Sequence, residues 1–261
     1  MTYSHLSITS NEDIATITLQ RPECGNALSL RLMSEIIDAC NSFKYDTKIR
    51  VIIFCGEGKH FCVGADLKDP ERVTRADGAT LLERSRLGQI GRNLIEAILG
   101  INQITIAAVQ GAAAGGGACI TTACDFRIGA DDCIVGYPEV KLGMNLSWGA
   151  LPLCNNLVGP AKTKRMVIGG DLESADDLLA WGFLDETVPQ PQLRARASEM
   201  ATYYASRPAM AAQMIKRSLN ALQDAGNTSI MHMDGDQFTL VTESEDYEQQ
   251  RAAFLAKTSK K

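Results

Sequence analysis

The 261-residue chain lacks the patterns that several common chemistries require. It has 3 histidines, and no two stand in the His-x-x-x-His spacing of a helical zinc site. Its 8 cysteines include no Cys-x-x-Cys pair, and most sit inside apolar runs. They read as small buried hydrophobes in a reducing compartment rather than as a metal cage or a disulfide framework. There is no Gly-x-Ser-x-Gly elbow and no Gly-x-x-x-x-Gly-Lys-Ser/Thr phosphate loop. No apolar run is long enough to span a bilayer, and the first residues, Met1 to His5, carry no targeting pattern. A net charge of −5 provides no basic field to attract phosphates, which argues against nucleic-acid binding. The expectation is a cytoplasmic globular protein without a metal, and with neither nucleic acid nor membrane as a partner.

What the chain does have is 45% hydrophobic content, ample for one large core or a core with an appendage. Ile14 to Leu19 alternates as a half-buried strand does. Ser29 stands where it would cap a helix whose apolar positions are Met33, Ile36, Ile37, Cys40 and Phe43. Val51 to Cys55 reads as a buried strand, and Asp69 to Gly78 as a mobile surface loop. Leu81 to Leu99 has a helical pattern, whereas Cys124 to Gly129 and Cys133 to Val135 read as short strands. After Pro189 and Pro191 only long helical patterns follow. Alternating strands and helices early, with helices alone late, predict an α/β core over 1–194 and a helical region over 195–261.

The chain is organised around Ile104 to Cys119, an apolar β-branched run that passes through small residues into Gly115-Gly116-Gly117 and a second apolar run. A strand, a turn without side chains and a helix start leave backbone N–H groups unpaired at the positive end of the helix dipole. Glycine lets a ligand approach that backbone closely. The stretch offers a site for an oxyanion, and tight backbone packing explains the glycines equally well. Gly64-Ala65-Asp66-Leu67-Lys68 is a second place where a glycine and a small residue follow an apolar run. Glu139 lies between Pro138 and Val140 in an otherwise apolar segment. Desolvation there would raise its pKa towards that of a group able to take and return a proton, and a surface glutamate beside a turn is the plainer alternative. Two sets of bare amides and one half-buried acid suit a reaction in which a carbonyl oxygen becomes an enolate while a proton moves nearby.

Taken in order, Arg21-Pro22 with Asn26-Ala27-Leu28, Phe61 to Lys68, Ile106 to Gly111 with the three glycines, Cys124-Asp125, Pro138 to Gly143 and Arg251 to Leu255 resemble the enoyl-CoA hydratase/isomerase (crotonase) superfamily of fatty acid metabolism. The resemblance covers nearly the whole chain. It implies a spiral of ββα units with a C-terminal helical trimerisation region, and trimers that often stack into hexamers. It implies that Ala65 and Gly116 supply the two oxyanion-hole N–H groups to a thioester carbonyl, with Glu139 as acid/base. Ala65, Asp66, Leu67 and Lys68 would line the coenzyme A site, Asn26, Ala27 and Leu28 would flank the pantetheine arm, and Lys257 would approach the coenzyme A phosphates. No cofactor is implied, because coenzyme A is part of the substrate.

The chain also departs from that pattern. Typical hydratases of the superfamily carry a second catalytic glutamate two residues after the glycines, and here that place holds Cys119. A thiol is a poor substitute for a carboxylate that orients water, and Cys119 reads better as a space-filling residue. One acid favours an isomerase-like proton shuttle. The alternatives are hydration with another water-positioning group, from among Asn145, Ser147 and Tyr137, and a non-catalytic acyl-CoA-binding protein. Asn145 to Pro152 replaces a stretch usually rich in glycine. Cys119, Tyr137 and Trp148 are the candidates for lining an acyl pocket, with a core position as the other reading of Trp148.

Overall fold

The computed structural model describes residues 3–258. Strands β1 (Leu6–Asn11), β2 (Ile14–Leu19), β3 (Val51–Gly56), β4 (Ile104–Val109), β6 (Phe126–Ala130) and β9 (Glu186–Val188) form one sheet in the order β1-β2-β3-β4-β6-β9. Every pairing in it is parallel except β1 with β2. All six residues of β3 and all six of β4 are buried. Apart from Thr105, their sequences are accordingly apolar with little alternation, as expected of strands covered on both faces.

A second, smaller sheet joins β5 (Ala112–Ala114), β7 (Ile134–Gly136) and β8 (Glu173–Ser174) in the order β5-β7-β8. Single bridges extend it: Cys62 pairs with Ala113, and Ala65 pairs with Leu28. The chain repeats one course. A strand in the large sheet is followed by a pairing in the small one and then by a helix: α1 (Leu30–Phe43), α2 and α3 (Pro70–Ala76, Leu81–Leu99), α4 (Gly116–Ala123) and α5 (Ala150–Lys164). This is the spiral of ββα units.

The helix starts follow local chemistry. The Ser29 hydroxyl accepts from the Leu32 N–H and caps α1. Thr80 and Glu83 form a reciprocal capping box on α3, and Ser174 caps α6 (Ala175–Ala180). The stretch expected to be a mobile loop, 69–78, instead contains helix α2. Its N-cap is Asp69, whose carboxylate accepts from Glu71 N–H at 3.1 Å, and Pro70 occupies the first turn, where a missing N–H does no harm. Asp69 is also 6% exposed and accepts from Leu30 N–H at 2.7 Å, so one carboxylate ties α2 to the start of α1.

After β9 the chain is helical: α7 (Leu193–Ala205), α8 (Ala209–Met231), α9 (Asp234–Val241) and α10 (Glu245–Thr258). The division expected at 194/195 falls in the first turn of α7, whose buried Ala197, Ala201 and Ala205 lie against β3, β4 and β6. Helix α8 is fastened by Lys216, buried to 6% exposure, which donates to Gln103 O and pairs with Asp125, both at 2.7 Å. Asp125 also accepts from the Thr105 N–H and hydroxyl, so the Cys124-Asp125 motif is a structural junction. Lys260 and Lys261, and the side chain of Lys257, lie outside the described residues.

Candidate active site

The small-sheet bridge between Leu28 and Ala65 leaves one donor over. Leu28 N–H donates to Gly64 O at 2.8 Å and Asp66 N–H donates to Leu28 O at 3.0 Å. An extended chain points successive N–H groups to opposite sides, so the Ala65 N–H faces away from Leu28. Gly116 is the first residue of α4, where no intrahelical acceptor exists. Among the described residues neither the Ala65 nor the Gly116 N–H has a backbone or side-chain acceptor. The two segments touch: a Cβ on Gly64 would stand 2.8 Å from Ala114 O and 3.6 Å from Gly116 N.

The three glycines have separate reasons. A Cβ on Gly117 would lie 2.1 Å from Cys62 O, a packing requirement. One on Gly115 would lie 2.8 Å from Glu139 Oε1, and Gly115 has φ +53° and ψ −118°, a conformation closed to other residues. One on Gly116 would meet Trp148 Cζ3 at 2.5 Å and Leu28 Cδ1 at 2.8 Å. Tight packing accounts for the run at each of the three positions, against a different neighbour each time.

Glu139 sits in a 3₁₀ turn, Pro138–Leu142, that ends at Gly143 in the left-handed conformation. The residue as a whole is half-buried, but its Oε2 is sequestered without a hydrogen-bond partner among the described residues. Burial pushes its carboxyl up to about 7. Cys119 is 1% exposed, and burial, followed by the charge on Glu139, raises its thiol well above the ordinary value. A thiol so placed stays protonated.

The other residues singled out in the sequence are placed as follows. Asn26 is fully buried with φ +57°, and its amide is completely engaged: Nδ2 donates to Glu57 O at 2.9 Å and His60 O at 2.8 Å, while Oδ1 accepts from Arg21 N–H at 2.8 Å. It locks the turn that presents Ala27 and Leu28, both buried. Asp66 is paired with Arg21 at 2.9 Å, whose guanidinium also donates to Ala27 O. Leu67 is half-buried and Lys68 exposed. Tyr137 is fully buried in the core with its hydroxyl bonded to Thr122.

Trp148 is half-buried, has φ +64°, and bridges α3 and α4. Its Cε2 and Nε1 would be 1.9 and 2.1 Å from a Cβ on Gly91, while Cζ3 and Cη2 would be 2.5 and 2.8 Å from one on Gly116. Gly91 was not anticipated from the sequence. The available signal is a glycine within a helical pattern, which commonly marks a close approach. Asp234, 3% exposed, accepts from Gly149 N–H at 2.5 Å, a contact 85 residues apart that no local sequence pattern signals. Among the described residues no group of three or more His, Cys, Asp or Glu is placed to hold a metal ion.

Two adjacent backbone donors without acceptors, beside one desolvated carboxyl, are groups chemically able to receive an oxyanion and to exchange a proton. The chain belongs to the enoyl-CoA hydratase/isomerase family, whose model matches residues 9–261. It is thus an acyl-CoA enzyme of that family. It is 28% identical over 258 residues to a crotonyl-CoA hydratase of Syntrophomonas wolfei, covering 98% of this chain and 97% of the relative. It is 30% identical over 257 residues to a probable enoyl-CoA hydratase of Mycobacterium tuberculosis, with 98% and 97% covered. Among solved structures, an enoyl-CoA hydratase/isomerase from Xanthobacter autotrophicus is similar with a TM-score of 0.88 and 25% identity, over 100% of this chain and 99% of that one.

Proposed function

We propose that this enzyme moves a double bond within an enoyl-CoA thioester by a single-acid proton shuttle. The thioester oxygen accepts from the Ala65 and Gly116 N–H groups. Glu139, as carboxylate, removes a proton from the α-carbon, and the electron pair spreads onto the oxygen as an enolate. The same carboxyl then delivers the proton to the γ-carbon, the electron pair returns, and a 3-enoyl thioester becomes the 2-enoyl isomer. No atom is gained or lost. Ala65 to Lys68 and Asn26 to Leu28 would carry the coenzyme A moiety, with Asn26 acting through the turn it locks, and no cofactor is needed.

The observation that carries this reading is that Cys119, a thiol 1% exposed, stands beside Glu139 two residues after the glycine run. On this reading Glu139 is the group that exchanges the proton. Fixed donors at a developing oxyanion contribute about 3 kcal/mol each, and a placed acid/base about 10²–10⁴-fold. The test is Glu139→Gln. Turnover of 3-butenoyl-CoA should fall at least ~100-fold while butyryl-CoA still binds, whereas unchanged turnover would overturn the assignment.

One observation favours a second reading, hydration. Both amide atoms of Asn145 are buried without a partner among the described residues. Asn145 also borders an open cavity of about 1230 Å³ between the Pro138–Leu142 turn and α9–α10. An unpaired buried amide is costly unless something binds it, and a water held there would be the nucleophile. Assembly into trimers is the accompanying proposal, supported by the large apolar residues Met210, Met214, Leu219 and Leu222, all exposed along α8.

A further inference from the structure

The indole of Trp148 spans the gap between two glycines on different helices, Gly91 of α3 and Gly116 of α4. Neither glycine tolerates a Cβ beneath the ring, since the nearest ring atoms would be 1.9 and 2.5 Å away. The five-membered ring rests on Gly91 and the far edge of the six-membered ring on Gly116. Contacts this close with two backbones fix the ring, because packed interiors leave no room for a bulky side chain to swing.

The loop that carries the indole is held as firmly. Gly149 N–H donates to the buried carboxylate of Asp234, and the Met231 methyl fills the space where a Cβ on Gly149 would be, at 2.2 Å. Arg92, the neighbour of Gly91, donates through Nη1 to Met231 O at 2.6 Å. Helix α3, the junction of α8 with α9, and residue 149 thus form one clamp around Trp148. Its φ of +64° is unfavourable for a bulky residue, and such strain persists only where the surroundings over-determine it.

We infer that Trp148 is the wall that ends the acyl pocket and restricts this enzyme to short acyl groups of about four carbons, and that Gly91 is the space that lets the wall stand. The inference rests on the acyl-thioester reading above. A thioester whose oxygen sits on the Gly116 N–H brings its first acyl carbons alongside Gly116 Cα. A chain extending further in that direction meets the indole already touching that carbon. Lengthening the acyl group then requires the ring to leave Gly91 and Gly116 together, against the Asp234 and Met231 clamp. Each further methylene gains about 0.8 kcal/mol only where an apolar pocket exists to receive it, and the indole occupies that space.

The test is the binding of butyryl-, hexanoyl- and decanoyl-CoA, and of free coenzyme A, by titration calorimetry to the full-length protein and to Trp148→Ala. The parent should bind decanoyl-CoA at least tenfold more weakly than butyryl-CoA, and Trp148→Ala should abolish or invert that ratio. Gly91→Ala, which pushes on the ring from the other side, should change the ratio with the tryptophan at 148 retained. Circular dichroism and a melting curve establish that each variant is folded. Should Trp148→Ala misfold, Gly91→Ala and Trp148→Phe carry the same comparison. A tenfold preference for butyryl-CoA that persists in folded Trp148→Ala overturns this inference alone, as does equal binding of all chain lengths by the parent. If no acyl-CoA binds more tightly than free coenzyme A, the thioester reading fails and takes this inference with it.

Discussion

Glu139 Oε1 stands 2.8 Å from the point where a Cβ on Gly115 would be. The carboxyl therefore lies against the backbone just before Gly116, so the proposed acid and one proposed donor, carried by different segments, adjoin. Gly115→Ala should displace Glu139 and strain a backbone at φ +53°, ψ −118°. The expected outcome is at least a ~100-fold loss of turnover with ~1–3 kcal/mol of destabilisation, read from steady-state rates and urea unfolding.

In the proposed shuttle Glu139 must be ionised to take the first proton. Its carboxyl is pushed up to about 7 by burial, so kcat/KM for an enoyl-CoA substrate should rise with pH through a single ionisation near 7. A profile already flat from pH 5 upward would contradict the role.

The same group makes stability depend on pH. Its folded pKa, about 7, lies above the ordinary 4.5. Its stabilising contribution is therefore full below pH 4.5 and lost as pH rises through about 7, a change of at most ~3 kcal/mol. Glu139→Gln, which never ionises, should melt at a temperature close to the parent's at pH 5 and higher than the parent's at pH 8.5. Differential scanning calorimetry at the two pH values makes the comparison.

The proposed shuttle gives Cys119 a space-filling role, so Cys119→Ala should retain turnover within about threefold and lose ~1 kcal/mol or less to the small void. A large loss of rate with the melting temperature intact would assign the thiol a chemical role.

Asn26 tests a structural assignment. Asn26→Ala removes three hydrogen bonds and leaves the Arg21 N–H and the Glu57 and His60 carbonyls without their partner. Unsatisfied buried groups of this kind cost about 1 kcal/mol or more each, so ~3 kcal/mol should be lost in urea unfolding, with the chain-length preference for acyl-CoA unchanged.

Much of this was legible in the sequence. The apolar runs of β3 and β4, the Ser29 cap, and the order of the motifs around Ala65, Gly115 to Gly117 and Glu139 all announce elements the structure contains. The remainder was hidden for physical reasons. Strand β5 is three alanines, whose strand character comes from pairing with β7 and not from propensity. Helix α2 looked like a loop because its polar residues show no apolar face, yet Asp69 joins it to α1 through a contact 39 residues away in sequence. Asn26 drew attention as part of a binding motif, and its side chain is occupied by carbonyls 31 and 34 residues distant. The meeting of Gly91 with Trp148 joins two segments that no local pattern connects.

The central claim is that one carboxyl shuttles one proton. Incubation of the enzyme with 3-butenoyl-CoA, and separately with crotonyl-CoA, in D2O followed by mass spectrometry tests it most directly, with both substrates short enough to pass Trp148. The account predicts conversion of 3-butenoyl-CoA to crotonyl-CoA without gain of a water mass, and no water addition to crotonyl-CoA. Addition of water to crotonyl-CoA at a rate matching or exceeding isomerisation would contradict it and move the chemistry to the Asn145 side of the site.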